Sequence, residues 1–300
     1  MSRPFLSIAL TLLSGLALLA ALTAAAPARA CDALVVKSAD LKPYRDALRG
    51  FEDASACEVR VVQAENGDLP EQLRHGPPDV VVAIGTTAFR KVKALKDLPI
   101  VYLMVVSSEV DRALAPNISG VSMDIAPAAS LETIKEVFPT AKRVGLLYDP
   151  RHTQTFADES MRAARTAGIE LTARQVYEPS AIMAALGEMQ GRMDVLWMLP
   201  DPTVAAEETV DYLLRFSIQH SLPIFTFSRK YVEMGAIASL DMDPYDMGVQ
   251  AGGIADRVAA GSGALRAYAR TARLSINAKA AKKMGLKIRD EVLKKAGKGE

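Results

Sequence analysis

Nine small polar side chains stand where the chain leaves an apolar run: Ser38, Thr86, Thr87, Asp124, Asp149, Thr153, Asp201, Thr203 and Ser228. The aromatic residues Tyr148, Phe227 and Tyr245 lie close by in sequence. Their shared chemistry is recognition rather than bond making. A hydroxyl beside the unpaired N–H groups of a helix start suits a carboxylate or phosphate, an aspartate suits an ammonium, and aromatic rings cover an apolar body. Taken singly, each also has the plain reading of a cap or turn residue, as do Asp40 and Asp243. Trp197, between Leu196 and Met198, reads as core.

Catalytic signatures are thin. His75, His152 and His220 are far apart, and no pair has the spacing of a helical metal site. No serine lies in a Gly-x-Ser-x-Gly elbow, and Gly261-Ser262-Gly263 follows a helix rather than a strand, the wrong context for a dinucleotide loop. The expectation is a chain without catalytic residues, metal ligands or cofactor.

Such side chains need strands to carry them. Val80-Val81-Val82-Ala83-Ile84 is an unbroken apolar run that reads as a strand buried on both faces, and Gly85-Thr86-Thr87 turns it into a helix. Similar pairs of strand and helix recur along the chain with connections of a few residues, which predicts an α/β protein with parallel sheets. There is also an internal echo. Asp79-Val80, a strand, a Thr-bearing helix start and Leu98-Pro99-Ile100 are matched by Asp194-Val195, a strand, Thr203 at a helix start and Leu222-Pro223-Ile224. The same order in two series predicts two similar lobes, with the carboxyl-end loops of both sheets facing one cleft.

The first 30 residues read as an export signal: Arg3, an apolar run from Phe5 to Ala25, and Ala28-Arg29-Ala30 as the cleavage pattern. An uncleaved anchor is the lesser alternative. Removal takes away two arginines and no acid, so the formal charge of +1 becomes −1, which gives no reason to expect nucleic acid or an anionic membrane surface as partner. Cys31 and Cys57 each precede a strand. If those strands are parallel neighbours, the two residues lie within disulfide reach, and an exported chain meets an oxidising compartment. The rival is a lipid on Cys31, which would be the first mature residue; the disulfide reading is favoured because Ala28-Arg29 fits a lipidation signal poorly.

Ile84-Gly85-Thr86-Thr87-Ala88, Asn117 to Val121, Val144 to Pro150, Gly235 to Ser239 and Asp243-Pro244-Tyr245-Asp246-Met247-Gly248 occur in an order that resembles ABC transporter substrate-binding proteins, in the branch that includes tryptophan- and tyrosine-type members. The resemblance covers nearly the whole mature chain. It implies the periplasmic-binding type I fold, two Rossmann-like lobes with parallel central sheets joined by a three-segment hinge, crossing near Met123–Ile125, Leu240–Met242 and Tyr268–Thr271. The lobes are then 31–122 plus 242–268 and 123–241 plus 269–300. It further implies a periplasmic monomer that closes on a small polar, amino-acid-like solute and delivers it to ABC permease subunits. A ligand-sensing module that presents the solute to a membrane receptor is the alternative, with a secreted enzyme weaker still. Thr87, where proline often follows Gly-Thr, and Pro200-Asp201-Pro202-Thr203 depart from the common pattern in loops that would touch the ligand.

Overall fold

The computed structural model describes residues 31–66, 69–74, 76–111, 113 and 115–297. The expected signal segment and His75 lie outside the described residues. The first half runs β1 (Asp32–Lys37), α1 (Lys42–Ala54), β2 (Glu58–Gln63), α2 (Leu69–Arg74), β3 (Val80–Ile84), α3 (Thr86–Val92), β4 (Ile100–Leu103), α4 (Ser107–Asp111) and β5 (Ile118–Ile125). A second series follows: α5 (Pro127–Val137), β6 (Arg143–Tyr148), α6 (Pro150–Ala167), β7 (Glu170–Gln175), α7 (Ile182–Met189), β8 (Val195–Met198), α8 (Glu207–His220), β9 (Ile224–Thr226), α9 (Arg229–Met234) and β10 (Ala238–Met242). The chain closes with α10 (Pro244–Ala259), β11 (Arg266–Ala269), β12 (Ala272–Ile276), α11 (Ala278–Lys283) and α12 (Asp290–Gly297).

Two six-stranded sheets result, in the orders β11-β5-β4-β3-β1-β2 and β12-β10-β9-β8-β6-β7. All pairings are parallel except that of β12 with β10. The apolar run of β3 is buried throughout, as a strand covered on both faces must be. β1 and β2 are parallel neighbours in the register Asp32↔Glu58, which sets Cys31 beside Cys57. The Cα atoms of the two cysteines are 4.4 Å apart and their sulfurs are bonded.

The chain passes between sheets three times. It leaves the first after β5, returns after β10 when α10 packs on α1, and leaves again between β11 and β12. The packing of α10 on α1 is backbone to backbone. A Cβ placed on Gly248 would stand 2.0 Å from the carbonyl oxygen of Ala47, so only glycine allows this approach. The return helix is thereby fixed to the first lobe, and the sheet ends bearing the loops of both lobes converge on the crossings.

The internal echo holds for the strands and fails at one turn. α3 begins at Thr86, directly after β3, whereas α8 begins at Glu207 with Ala206 as its N-cap. Thr203 therefore sits in a turn before the helix. Asp201 organises that turn by accepting hydrogen bonds from the N–H groups of Thr203 and Val204 at 2.9 and 3.1 Å.

Candidate functional site

A cavity of about 290 Å³ lies between the lobes. From the first lobe it is walled by Val106, Ser107, Met123, Asp124 and Ile125; from the second by His152, Phe156, Trp197, Phe225, Thr226 and Phe227, with Leu240 and Met242 at the crossing. An adjoining cavity of about 220 Å³ shares Ser107, Asp124, His152, Thr153 and Phe156 with it and continues toward Asp111, Glu159, Arg266 and Tyr268. Most of the larger cavity's lining is apolar, so its few polar atoms carry the recognition.

Asp124, at the carboxyl end of β5, is the central one. Its Oδ2 accepts from the hydroxyls of Ser107 and Ser122, the latter at 3.1 Å, while Oδ1 has no hydrogen-bond partner among the described residues. No cationic side chain pairs with it there either. Burial raises its pKa, with the two serine bonds opposing and the nearby Asp111 and Glu159 charges adding to the rise. Ser107 reaches this position through a turn in which Met104 takes φ 56°. A non-glycine residue in that region costs on the order of 1 kcal/mol or more, and such strain gathers where a loop must aim a side chain.

The second lobe uses its aspartates differently. Asp149 and Asp201, at the ends of β6 and β8, are both fully buried and bind each other's loops. Asp201 accepts from Thr153 Oγ1 at 2.5 Å and from the Asp149 N–H at 2.8 Å, as well as from its own turn. Asp149 accepts from Thr203 Oγ1 at 2.7 Å and from the Arg151 guanidinium and N–H. The Arg151 hydrogen bond, supported by that of Thr203, holds the Asp149 carboxyl far below the usual carboxylate range despite its burial. Thr153 leaves helical geometry inside α6 (φ −134°, ψ 22°). Its hydroxyl bonds to Asp201 across the loops.

Among the described residues two buried side-chain polar atoms find no partner, His152 Nδ1 and Thr226 Oγ1, and both residues wall the larger cavity. A satisfied fold leaves few such atoms, so their coincidence in one cavity points to a ligand. Aromatic rings brace the same place. Phe156 meets Trp197 and Tyr268 edge-on at 5.8 and 6.4 Å, and the Tyr268 hydroxyl donates to Glu159, tying β11 to α6.

Of the residues singled out in the sequence, Asp124, Thr153, Asp201 and Phe227 wall the cavity. The others lie outside its lining. Ser38 caps α3 from the end of β1, its Oγ accepting from the Ala88 N–H at 2.8 Å, and a Cβ on Gly85, at φ 93°, would strike it at 2.6 Å. Thr86 and Thr87 are the first two residues of α3. Tyr148 accepts from Gln175 at 3.0 Å, Asp149 and Thr203 brace the loops as above, Ser228 caps α9, and Tyr245 donates to Asp53 at 2.9 Å on the α1 side. Sequence reasoning passed over Ser107, Ser122, His152, Phe156 and Thr226. Ser107 and Thr226 follow the same rule that selected Ser38, since each sits at the carboxyl end of a strand. Trp197 is core, as expected, but one side of it borders the cavity.

The family model for ABC transporter substrate-binding proteins matches residues 38–299. A tyrosine-binding protein of Clostridioides difficile (strain R20291) is 24% identical over 229 residues, 71% of this chain and 65% of its own length, so the match spans just under two thirds of that relative. Among solved structures, an ABC domain in complex with L-Trp from Streptococcus pneumonia aligns with TM-score 0.58 and 24% identity, covering 89% of this chain and 99% of that one. The ligand-free, open form of a substrate-binding protein with adhesive properties from Clostridium difficile aligns with TM-score 0.64 and 18% identity, covering 87% and 96%. The shared fold is the periplasmic-binding type I arrangement, as the three crossings require.

Proposed function

The chain belongs to the family of ABC transporter substrate-binding proteins, and from that premise we propose that it captures a small amino-acid-like solute between its lobes by hinge closure and hands it to permease subunits in the membrane. The observation that carries this reading is the cavity between the lobes, apolar on most sides, with one open carboxylate oxygen on Asp124 and two unpartnered polar atoms opposite. An ammonium on the solute meets Asp124, and its apolar body lies against Phe156, Trp197 and Phe227. The ligand class draws support from relatives described as tyrosine-binding and as a complex with L-Trp.

The lobes divide as 31–122 with 242–268 and 123–241 with 269–300, the first boundary falling inside β5, whose last residues through Ile125 stay in the first sheet and are counted with the first lobe's wall; Asp124, Thr153, Asp201 and Phe227 are the predicted site residues that contact or support the solute. The protein works as a monomer in the periplasm after loss of residues 1–30, with no nucleic-acid partner and no catalytic step. Cys31 is paired with Cys57 rather than lipidated. Intact mass of the exported protein decides that point: loss of two hydrogens is expected, and a gain of acyl chains overturns it.

The binding reading is tested by melting temperature against a panel of amino acids, sugars and oxyanions at millimolar concentration. At least one aromatic or aliphatic amino acid raises the Tm, because a ligand bound only by the folded form stabilises it, by about 2.7 kcal/mol at a hundredfold excess over Kd. A shift with a sugar or oxyanion and none with any amino acid contradicts the ligand class.

A further inference from the structure

We infer that the cleft selects its solute as an organic cation, a primary amine on an apolar body, and that the carboxylate of an amino acid is dispensable to it. The inference rests on the reading of the interlobe cavity as the binding site and goes further in naming the charge it accepts.

Four observations lead there. Among the described residues the larger cavity is walled by no lysine and no arginine, so a ligand carboxylate entering it meets no cation there. Among the described residues the carboxylates lining the two cavities are Asp111, Asp124, Glu159 and Asp201, against the single guanidinium of Arg266. That guanidinium donates to the carbonyl of Ala115 at 2.9 Å, in the adjoining cavity and on its exposed side. The excess of negative charge in a partly desolvated cleft draws a cation and repels an anion.

The acids are not equivalent. Asp201 is consumed by four donors from Thr153, Asp149, Thr203 and Val204, and Glu159 accepts from Tyr268. Asp124 alone of these lines both cavities with one oxygen unused. Ser107 and Ser122 both bond to the other oxygen, which fixes the carboxylate plane and leaves Oδ1 facing the ligand space.

Both unpartnered atoms can accept a hydrogen bond. His152 Nδ1, without a partner among the described residues, accepts from an ammonium in the tautomer that carries its proton on Nε2. Thr226 Oγ1 accepts as readily as it donates. An ammonium has three donors and no acceptor, and Asp124 Oδ1, with the unpartnered His152 Nδ1 and Thr226 Oγ1 of the same lining, matches that inventory. Asp124 itself repels a carboxylate.

The test uses probes that share one apolar body and differ in charge: L-phenylalanine, L-phenylalaninamide, 2-phenylethylamine and 3-phenylpropanoate, with leucine and isoamylamine as an aliphatic pair. Each is titrated at pH 7.5 into the full mature protein and into the Asp124→Asn variant, with melting temperature and calorimetry as readouts and circular dichroism to show that the variant is folded. The expected result is that the amide or an amine binds at least as tightly as the parent amino acid, that phenylpropanoate gives no shift, and that Asp124→Asn weakens the amine at least about tenfold. If an amino acid binds while its amine and amide do not, or if phenylpropanoate binds, the cation inference falls and the cleft reading stands. Undiminished amine binding in folded Asp124→Asn overturns the inference as well. If no probe and no member of the amino-acid panel shifts either protein, both readings fall together.

Discussion

The two walls of the cleft hold the same residue type at the same kind of place and use it in opposite ways. On the second lobe, Asp149 and Asp201 end neighbouring strands and turn inward, each binding the other's loop through a threonine hydroxyl and backbone N–H groups. On the first lobe, Asp124 ends β5 and keeps one oxygen open to the cavity. A carboxylate whose lone pairs are taken by its own fold is scaffold; one that is propped by neighbours on a single oxygen is presented. The strand-end position alone does not distinguish them. The count of donors around the carboxylate does.

Four experiments break or sharpen that contrast. The largest effect belongs to Asp201→Ala, which strands the hydroxyl of Thr153 and the N–H groups of Asp149, Thr203 and Val204 in a buried site. Each stranded donor costs about 1–3 kcal/mol, so urea unfolding of this variant is expected to show a loss of at least about 3 kcal/mol. A loss below about 1 kcal/mol would mean that the loops are not braced by this carboxylate.

The pH dependence of stability should separate the two aspartates by sign. Asp149 has a lowered folded pKa, held there first by Arg151, so its contribution is present above the ordinary carboxyl value of 3.8 and is lost as pH falls below it. Asp124 has a raised folded pKa from burial, so its contribution is full below 3.8 and is lost as pH rises through the raised value. Without ligand, Asp149→Asn is therefore less stable than the parent at pH 7 and converges with it only in strong acid. Asp124→Asn is at least as stable as the parent at pH 7 and loses that advantage on acidification. Denaturant midpoints between pH 3 and pH 8 read both, and parallel profiles for the two variants would erase the distinction.

A smaller effect is expected at the edge of the first lobe. Ser38→Ala removes the cap on α3 and should cost about 1 kcal/mol with no change in amine or amino-acid affinity. Smallest is the pair Thr86→Ala with Thr87→Ala, which leaves the Gly85 N-cap of α3 in place and is expected to stay within about 0.5 kcal/mol of the parent in stability. A selective tenfold loss of affinity in this pair would extend the binding wall from β5 to β3.

How legible all this was in the sequence differs between backbone and side chain. The apolar run of β3, the Gly-Thr turn after it and the spacing of strands and helices declare a parallel α/β chain directly, because periodicity and turn chemistry act locally. The neighbouring of β1 and β2, and with it the meeting of Cys31 and Cys57, also follows from the βαβ order. The site was less legible. Sequence picks out strand-end residues as a class, but which of them face the cavity depends on strand order: β5 and β4 lie beside the crossing, while β1 and β3 lie farther along the sheet. Ser38, Thr86 and Thr87 therefore fall outside the lining, and Ser107 falls within it. His152 has no metal-site spacing with the other histidines, and its place in the cavity lining with an unpaired nitrogen is something no sequence spacing encodes. Thr203 reads as a helix start by its echo of the Thr-bearing start after β3; here Asp201 winds the residues into a turn, and the helix waits until Glu207.

The presented carboxylate on the first lobe is the point on which everything else depends, and calorimetric titration of L-phenylalaninamide into Asp124→Asn and Ser38→Ala side by side at pH 7.5 reaches it most directly. Asp124→Asn should bind at least about tenfold more weakly than the parent while remaining folded, and Ser38→Ala should bind as the parent does. Equal affinities in the parent and in Asp124→Asn, or a loss confined to Ser38→Ala, would contradict the assignment of Asp124 as the residue that receives the solute.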